Sequence, residues 1–288
     1  MSHVLPLARA STAHQAWRFI RRNPSLVGGG VVLFAAVLLA VAAPCITGDP
    51  LTMVPAQRLR PPSPAYLFGT DSFGRDVLAR TVHGARISLA VGFLVAISAV
   101  ACGLAIGLVA GSVRLAGPPL MRLMDALMAI PTILLAVALI SLMQASVATV
   151  VIAITIPEIP RVVRLVRSIV LVAREQPYVE AAIAGGARWH RLVLRHILPS
   201  TIPPLIVQAT YICASAILLE ATLSFLGAGS PPEIPSWGNM IASSRLYLER
   251  APWTIFYPGA ALAVIVLAIN IFGDGLRDRL DPRLSRRM

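Results

Sequence analysis

Residues 126–157 read ALMAIPTILLAVALISLMQASVATVVIAITIP, a run of thirty-two residues without a charged side chain. One helix of about 20 apolar residues is enough to cross the hydrocarbon core of a membrane. The run is therefore too long for one ordinary span, and the Gln-Ala-Ser segment at 144–146 marks a break inside it. We expect two membrane spans here, over about 126–143 and 146–166.

The composition of the whole chain indicates a membrane protein. Hydrophobic residues make up 57% of the 288 residues and charged residues only 13%, whereas roughly 25% of residues are charged in soluble domains. The charged residues are clustered and leave long apolar runs between them. Such runs predict an all-α, polytopic membrane protein with one membrane domain.

Four further apolar runs bring the number of predicted transmembrane helices to six. These spans lie at about 26–46, 87–113, 200–220 and 253–273. For the first run a cleaved signal peptide is the alternative, because AVAA at 40–43 resembles a small-residue cleavage site. The run is longer than the usual apolar region of about 7–15 residues in a signal peptide, which favours an uncleaved span.

The second run carries a stripe of small residues. Gly103, Gly107 and Gly111 are four residues apart and therefore share one face of a helix. A face of glycines allows the backbone of a neighbouring helix to approach closely. We expect helix packing along this stripe.

The arginines predict the orientation of the spans. The chain has 25 arginines and no lysine, and cytoplasmic loops of membrane proteins are enriched in these two residue types. With six spans and both termini inside, 18 arginines lie in the cytoplasm and 7 outside. Three parts are predicted: a cytoplasmic N-terminal segment at 1–25, a membrane domain at 26–273 and a cytoplasmic tail at 274–288. Within the membrane domain, external loops are expected at 47–86 and 221–252 and a cytoplasmic loop at 167–199.

Several classes of function are disfavoured by the same residues. A P-loop requires a lysine that reaches the β- and γ-phosphates, so a chain without lysine carries no standard site of this kind. The net charge of +12 comes from arginines that flank apolar runs, unlike the basic stripe of a nucleic-acid binder. The three Cys and five His lack the spacing of metal ligands, so no metal site is expected.

The rival class of function is a proton-coupled secondary transporter. Such transporters usually carry acids or histidines within their spans, and no acid is expected in the middle of a span here.

A short helix is predicted inside the cytoplasmic loop. Residues 179–184 are mostly small or apolar and precede Gly185 and Gly186, where a helix ends or turns with positive φ. An exposed helix of this kind is suited to docking into a groove of a partner protein. Glu180 either anchors the helix through a charge-assisted hydrogen bond or caps its first turn.

The same loop carries a family motif. Glu180-Ala181-Ala182-x-x-x-Gly186, with Ile-Leu-Pro at 197–199, resembles the EAA loop of ABC importer permeases. Further motifs are FGTDSFGRDVL at 68–78, GARISL at 84–89, LSFLG at 223–227, PSWG at 235–238 and NIFGDGLRDRLDPR at 270–283. Together they are similar to the second permease subunit of the dipeptide/oligopeptide/nickel importers, the peptide-permease C type, over about residues 18–284.

This resemblance implies a permease subunit of an ATP-driven importer. The helix that carries Glu180, Ala181, Ala182, Gly186 and Arg188 is then a cytoplasmic coupling helix, which inserts into an ATPase subunit. ATP and Mg²⁺ belong to that partner, so no cofactor is expected on this chain, and the chain is not itself an enzyme. The implied substrates are di- and oligopeptides, with nickel or another small solute as the alternative.

The resemblance also implies partners and a location. The partners are a second homologous permease in a heterodimer, two ABC ATPase subunits or one fused ATPase, an external substrate-binding protein and membrane lipid. The location is the inner (plasma) membrane of a bacterium, with several crossings and cytoplasmic termini. Nucleic acid is not among the expected partners.

Other polar residues lie on the external side in this arrangement. Asp71, Arg75 and Asp76 either form ion pairs within their loop or contact the substrate-binding protein or the sister permease. Trp237 is expected as an aromatic anchor at the outer membrane interface and as a contact for an external partner. Glu220 lies at the outer end of the fifth span and is a candidate for lining the translocation path.

Overall fold

The computed structural model describes residues 20–21, 23–144 and 146–280, and these residues form a bundle of long helices with no β-strand among them. The α-helices are α1 (Pro24–Ile46), α2 (Val77–Ser112), α3 (Gly117–Ala129), α4 (Thr132–Ser141), α5 (Val147–Arg174), α6 (Pro177–Ala184), α7 (Trp189–Leu192), α8 (Leu198–Phe225), α9 (Trp237–Ser244) and α10 (Trp253–Leu280). A π-helical turn, Val193–Ile197, joins α7 to α8, and 3-10 turns occupy Pro55–Gln57 and Arg245–Tyr247. The predicted all-α fold is confirmed for this part of the chain.

Four of the described helices are long and apolar enough to cross a membrane. They are α1, α2, the continuous helical segment Trp189–Phe225, and α10, and a fifth span is present if α3 and α4 count as one bent span. Helix α5 is not among them, because Glu158, Arg161 and Arg164 fall within its first 18 residues. Length and composition thus give four or five spans, and the sixth stays a prediction.

The predicted span 126–143 is wrong in its shape. The helix in this region begins at Gly117, and α3 meets α4 at an angle of 89°. The turn occurs at Ile130, which has φ of −90° and ψ of 128°, because Pro131 follows it. A residue before proline is forced out of the α-helical region, and proline itself has no N–H to continue the helix.

The helix of the second predicted span, 87–113, begins ten residues before that span. Helix α2 starts at Val77, because Asp76 caps it by accepting a hydrogen bond from the Leu78 N–H at 2.8 Å. The sequence argument stopped at the charge of Arg86 and assigned the preceding residues to a loop. An N-cap of Asp is a strong start signal for a helix and overrides that boundary.

Two more helices extend beyond their predicted spans. Helix α5 begins after Ser146, whose hydroxyl accepts a hydrogen bond from a first-turn N–H at 3.1 Å, and it continues to Arg174. Helix α8 extends five residues past the predicted end, until Gly227 with φ of +81° turns the chain. The segments 167–199 and 221–252 are therefore partly helical rather than loops throughout.

The glycine stripe of α2 packs directly on α5, as the spacing predicted. A Cβ atom added to Gly103, Gly107 or Gly111 would lie 2.4, 2.6 or 2.7 Å from the Cβ of a valine on α5. These distances are shorter than any real contact between carbon atoms, so each glycine allows a close approach that alanine would prevent. The facing valines are Val162, Val166 and Val170.

Helix α8 lies at the centre of the bundle. Helices α2, α5, α9 and α10 pack against it, and α1 packs against α10 and α2. A large hydrophobic core lies between α2, α4, α5 and α8, and a smaller one surrounds Trp237 between α1, α2, α8 and α10. Helix α6 lies in the chain between α5 and the segment that leads into α8, so one short helix connects two central helices.

Candidate functional site

Helix α6 holds the residues of the family motif. Pro177 fits its first turn, because the N–H that proline lacks has no partner there in any helix. Val179 is fully buried in the larger core and packs α6 against it. Glu180 and Ala181 are exposed and Ala182 is half-buried. One apolar residue therefore fixes the helix, while most of the motif faces outward.

The end of α6 is a Schellman turn. The Gly186 N–H donates to the Ile183 carbonyl at 2.9 Å, and the Ala187 N–H donates to the Ala182 carbonyl at 3.0 Å. This pairing requires a left-handed residue after the helix, and Gly186 has φ of +75°. The predicted turn at Gly186 is confirmed. Nothing lies within 4 Å of a Cβ placed there, so the backbone conformation alone selects glycine.

Large apolar side chains accompany the motif on the surface. Tyr178, Ile183 and Trp189 are 48%, 56% and 45% exposed. Glu180 lies in the first turn of α6, near the positive end of the helix dipole, and its carboxylate is exposed. Arg188 is exposed at the start of α7. Exposed aromatic and aliphatic groups beside a carboxylate and a guanidinium are the composition of a protein-binding surface.

Asp71 and Arg75 form the ion pair that the sequence left as one of two alternatives. Arg75 Nε lies 2.7 Å from Asp71 Oδ2, and Asp71 Oδ1 accepts the N–H groups of Phe73 at 2.8 Å and Arg75 at 2.9 Å. Arg80 Nε is 3.8 Å from the same carboxylate. Both Asp71 and Arg75 are buried, so within this chain they hold the loop together.

Asp76 has a separate structural task. It caps α2, and burial raises the pKa of its carboxyl above the ordinary value, while the N–H groups of Leu78 and Ala79 oppose that rise. The side chain is half-buried. Helix capping accounts for this residue without a partner protein.

Trp237 is buried among the helices of this chain and is not exposed to lipid headgroups, so the predicted aromatic anchor is wrong. Its side chain is 2% exposed, and its indole N–H donates to the carbonyl of Thr81 at 2.9 Å. It belongs to the smaller core, with α2 and α8 beside it. A contact between this side chain and an external partner is excluded by that enclosure.

Glu220 is enclosed as well, so the structure does not place it on the wall of a path. The side chain is 0% exposed, and Oε1 accepts hydrogen bonds from three serine hydroxyls. The donors are Ser224 at 3.0 Å, Ser230 at 3.4 Å and Ser236 at 2.9 Å. The position of Glu220 at the end of a predicted span does not reveal these hydroxyls, because the serines reach the carboxylate only in the folded chain.

A buried acid that the sequence argument missed lies in the middle of α5. Glu158 is 1% exposed, and both of its oxygens lie 3.2 Å from Arg161 Nη1. Ser215 of α8 donates to Glu158 Oε1 at 3.3 Å. Within the predicted span 146–166, the expectation that no acid lies mid-span is therefore wrong. Glu158 directly follows the uncharged run that ends at Pro157, and it lies inside the predicted span, a position that could have revealed it.

These features define a class of membrane protein: a bundle of membrane-length helices with an exposed short helix between two of them. Residues 103–286 match the family model described as "Binding-protein-dependent transport system inner membrane component". Residues 11–62 match the "N-terminal TM domain of oligopeptide transport permease C". The chain belongs to the family of inner membrane components of binding-protein-dependent transport systems.

Curated relatives extend over nearly the whole chain. The "Probable peptide ABC transporter permease protein y4tQ" of Sinorhizobium fredii is 58% identical over 274 residues, which cover 95% of this chain and 94% of that protein. The "Di/tripeptide transport system permease protein DppC" of Pseudomonas aeruginosa is 42% identical over 287 residues, with coverage of 97% and 95%. The resemblance to the C-type peptide permeases is confirmed, and the chain is a membrane transport subunit of the ABC class.

A solved structure shares the fold. It is described as "Inward facing conformations of the MetNI methionine ABC transporter", and it superposes with a TM-score of 0.59 at 20% sequence identity. The match covers 70% of this chain and 96% of that chain. At this identity the likeness concerns the fold alone, which is that of an ABC importer permease.

Proposed function

We propose that this chain is one of two permease subunits in an ATP-driven importer of short peptides. The observation that carries the proposal is the near full-length similarity to peptide permeases, at 58% identity over 95% of the chain. A substrate-binding protein delivers the peptide on the external side. This chain and a second, homologous permease then each form half of the translocation path.

The coupling element is helix α6. A chain without a P-loop lysine has to receive the energy of ATP from a partner, which supplies the nucleotide site and the Mg²⁺. Helix α6 suits this contact because it is short, exposed and seated on the core through Val179. Glu180 and Arg188 offer charges to the ATPase, and Gly186 sets the direction in which the chain leaves the contact. This chain itself binds no cofactor and catalyses no reaction.

The proposed topology has six spans, with α3 and α4 as one bent span and α5 as another. Charged residues are tolerated inside a membrane where they face other helices or a water-filled cavity, so the charges of α5 do not prevent it from crossing. This topology places α6 and both termini in the cytoplasm of a bacterium. The segments 47–76 and 226–252 are then external and accessible to the substrate-binding protein.

The test is uptake into proteoliposomes that contain this permease, its sister permease and the ATPase. A labelled dipeptide and the substrate-binding protein are supplied outside, with ATP inside. We expect uptake that requires hydrolysable ATP and continues when an uncoupler abolishes ion gradients. Uptake that an uncoupler abolishes would instead show an ion-coupled carrier, with the buried Glu158 as its ionisable residue. Uptake of Ni²⁺ in place of dipeptide would retain the importer and refute the peptide substrate.

A further inference from the structure

Two adjoining cavities lie along α8, between α5 and α10. One has a volume of about 680 Å³ and reaches Arg277 near the end of α10. The other has a volume of about 280 Å³ and is lined by Glu158, Arg161 and Ser215, among others. Gln208 and Tyr211, which lie on one face of α8, line both cavities. The two cavities therefore form one continuous groove.

Each of the three helices contributes polar residues to this groove at helical spacing. They are Glu158 and Arg161 on α5, Gln208, Tyr211 and Ser215 on α8, and Asn270 and Arg277 on α10. Intervals of three, four and seven residues place the members of each set on one face of their helix. Tyr211 donates a hydrogen bond to Asp274, which joins α8 to α10 along the groove.

In the proposed six-span topology, in which α5 enters the membrane near Val147, the part of this groove around Glu158 lies at membrane depth. Glu158 is eleven residues from the start of α5 at Val147, a rise of about 17 Å. The hydrocarbon core is about 30 Å thick, so Glu158 lies near its middle. A face with these polar groups is not stable against lipid, because lipid offers no hydrogen-bond partners. The groove therefore faces water and protein.

In the smaller cavity, Arg161 has N–H groups that remain available to a ligand. Its side chain is 52% exposed, and its contacts with Glu158 are made by Nη1. A guanidinium presents several N–H groups in a fixed plane, which matches the two oxygens of a carboxylate. Glu158 is 1% exposed, so it acts as a counter-ion that holds the guanidinium in the groove.

We propose that this groove is the chain's wall of the translocation path and that Arg161 binds the C-terminal carboxylate of a passing peptide. Glu158 is the positioning residue that keeps Arg161 directed into the path. The inference rests on the proposed function, since it names the contact by which that path recognises a short peptide. One contact of moderate strength between Arg161 and the carboxylate is appropriate for a translocation path, because the peptide has to dissociate again to complete transport.

The first experiment asks whether the groove contains water. Ser215→Cys and Val264→Cys are made in a chain whose three native cysteines are replaced by alanine, within the complete importer. Val264 is 53% exposed on α10, outside the residues that line the groove. We expect a charged methanethiosulfonate reagent to label position 215 about tenfold faster, because the reacting thiolate forms only in contact with water.

The second experiment measures peptide transported per ATP hydrolysed. Arg161→Gln should lower this ratio about tenfold, the effect of losing one charge-assisted hydrogen bond, while ATPase activity is retained. Arg161→Lys should recover part of the ratio. Arg164→Gln is the matched control, because Arg164 pairs with Asp125 at 2.6 Å and does not line the groove.

The positioning role of Glu158 has its own readout. Glu158→Gln removes the ion pair that directs the guanidinium into the groove, so a dipeptide should protect Ser215→Cys from labelling only at higher concentration than in the parent. A residue with a structural role alone would leave this protection unchanged or lower assembly of the complex.

The outcomes separate the inference from the proposed function. Equal labelling at positions 215 and 264 overturns the water-filled groove, and equal transport ratios for Arg161→Gln and Arg164→Gln overturn the role of Arg161. Unchanged protection in Glu158→Gln overturns the positioning role. A wild-type importer that takes up no peptide refutes the proposed function instead, whatever the labelling shows.

Discussion

At the scale of single residues, Glu220 anchors the segment that follows α8. Three serine hydroxyls from positions 224, 230 and 236 converge on one carboxylate oxygen. Ser236 also caps α9 by accepting a hydrogen bond from the Asn239 N–H at 3.1 Å. A side chain that accepts three buried hydrogen bonds is costly to remove, because each donor is then left without a partner.

We predict that Glu220→Ala lowers the free energy of unfolding by about 3 kcal/mol, through the lost hydrogen bonds and the cavity. Glu220→Gln keeps an acceptor oxygen of the same shape and should cost about 1 kcal/mol. The measurement is thermal unfolding of the purified chain in detergent. Glu233→Ala, at an exposed position of the same segment, is the control and should leave the midpoint unchanged. Equal midpoints for all three variants would contradict the anchoring role.

Gly186 offers a second prediction at this scale. Gly186→Val places a β-branched residue at φ of +75°, which costs roughly 1–2 kcal/mol and redirects the chain after α6. We expect loss of uptake and weaker co-purification with the ATPase. Gly185→Ala is the matched control, because Gly185 has φ of −76° and an added Cβ makes only ordinary contacts there. An unchanged Gly186→Val importer would remove Gly186 from the coupling mechanism.

The structural roles of some of these residues could be predicted from the sequence and those of others could not, for a physical reason. Gly186 could be predicted, because a left-handed helix end is a local property of the chain. The enclosure of Glu220 and Trp237 could not, because some of their hydrogen-bond partners reach them only when the chain folds back. Trp237, for example, is fixed by a carbonyl on α2, 156 positions away.

At the scale of helices, the contact between α2 and α5 depends on glycine. We predict that Gly107→Ala destabilises the bundle by about 1–3 kcal/mol, since an added Cβ would overlap Val166 and force the helices apart. Gly259→Ala on α10 is the control. Nothing lies within 4 Å of a Cβ at that position, so this variant should be neutral or more stable by about 0.5–1 kcal/mol. The same midpoint of thermal unfolding for both variants would contradict this close packing.

Helix positions were predictable, whereas helix ends and bends were only partly so. Apolar runs located the long helices, and the spacing of Gly103, Gly107 and Gly111 predicted their packing face. The 89° turn between α3 and α4 was missed, although Pro131 is present in the sequence. A hydropathy pattern does not reveal this turn, because Pro131 and its neighbours are uncharged, like the residues of the two helices that they separate.

At the scale of the whole molecule, the number of crossings decides which surfaces meet which partners. If α3 and α4 cross the membrane together, Ser63 and Glu233 lie on one side and Arg188 on the other. If that pair enters and leaves on the same side, Arg188 joins Ser63 and Glu233 changes sides. The Arg distribution supports the first arrangement.

We predict that single cysteines at 63 and 233 react with an impermeant thiol reagent in intact spheroplasts. A cysteine at 188 should react only after the membrane is permeabilised. The three native cysteines are first replaced by alanine, and this parent chain is the control for background labelling. Labelling of position 188 in intact spheroplasts would refute the six-span topology.

The connection of α6 to α5 and α8 has a consequence for regulation. The helix proposed to touch the ATPase is joined through two residues to α5, and α5 and α8 both border the proposed groove. If binding at α6 or in the groove moves these helices, it moves the same pair. Thermodynamic linkage then requires reciprocity: if nucleotide state changes the affinity of the groove for peptide, peptide changes the affinity for nucleotide by the same factor. An importer built this way needs no separate sensor to report that its path is occupied.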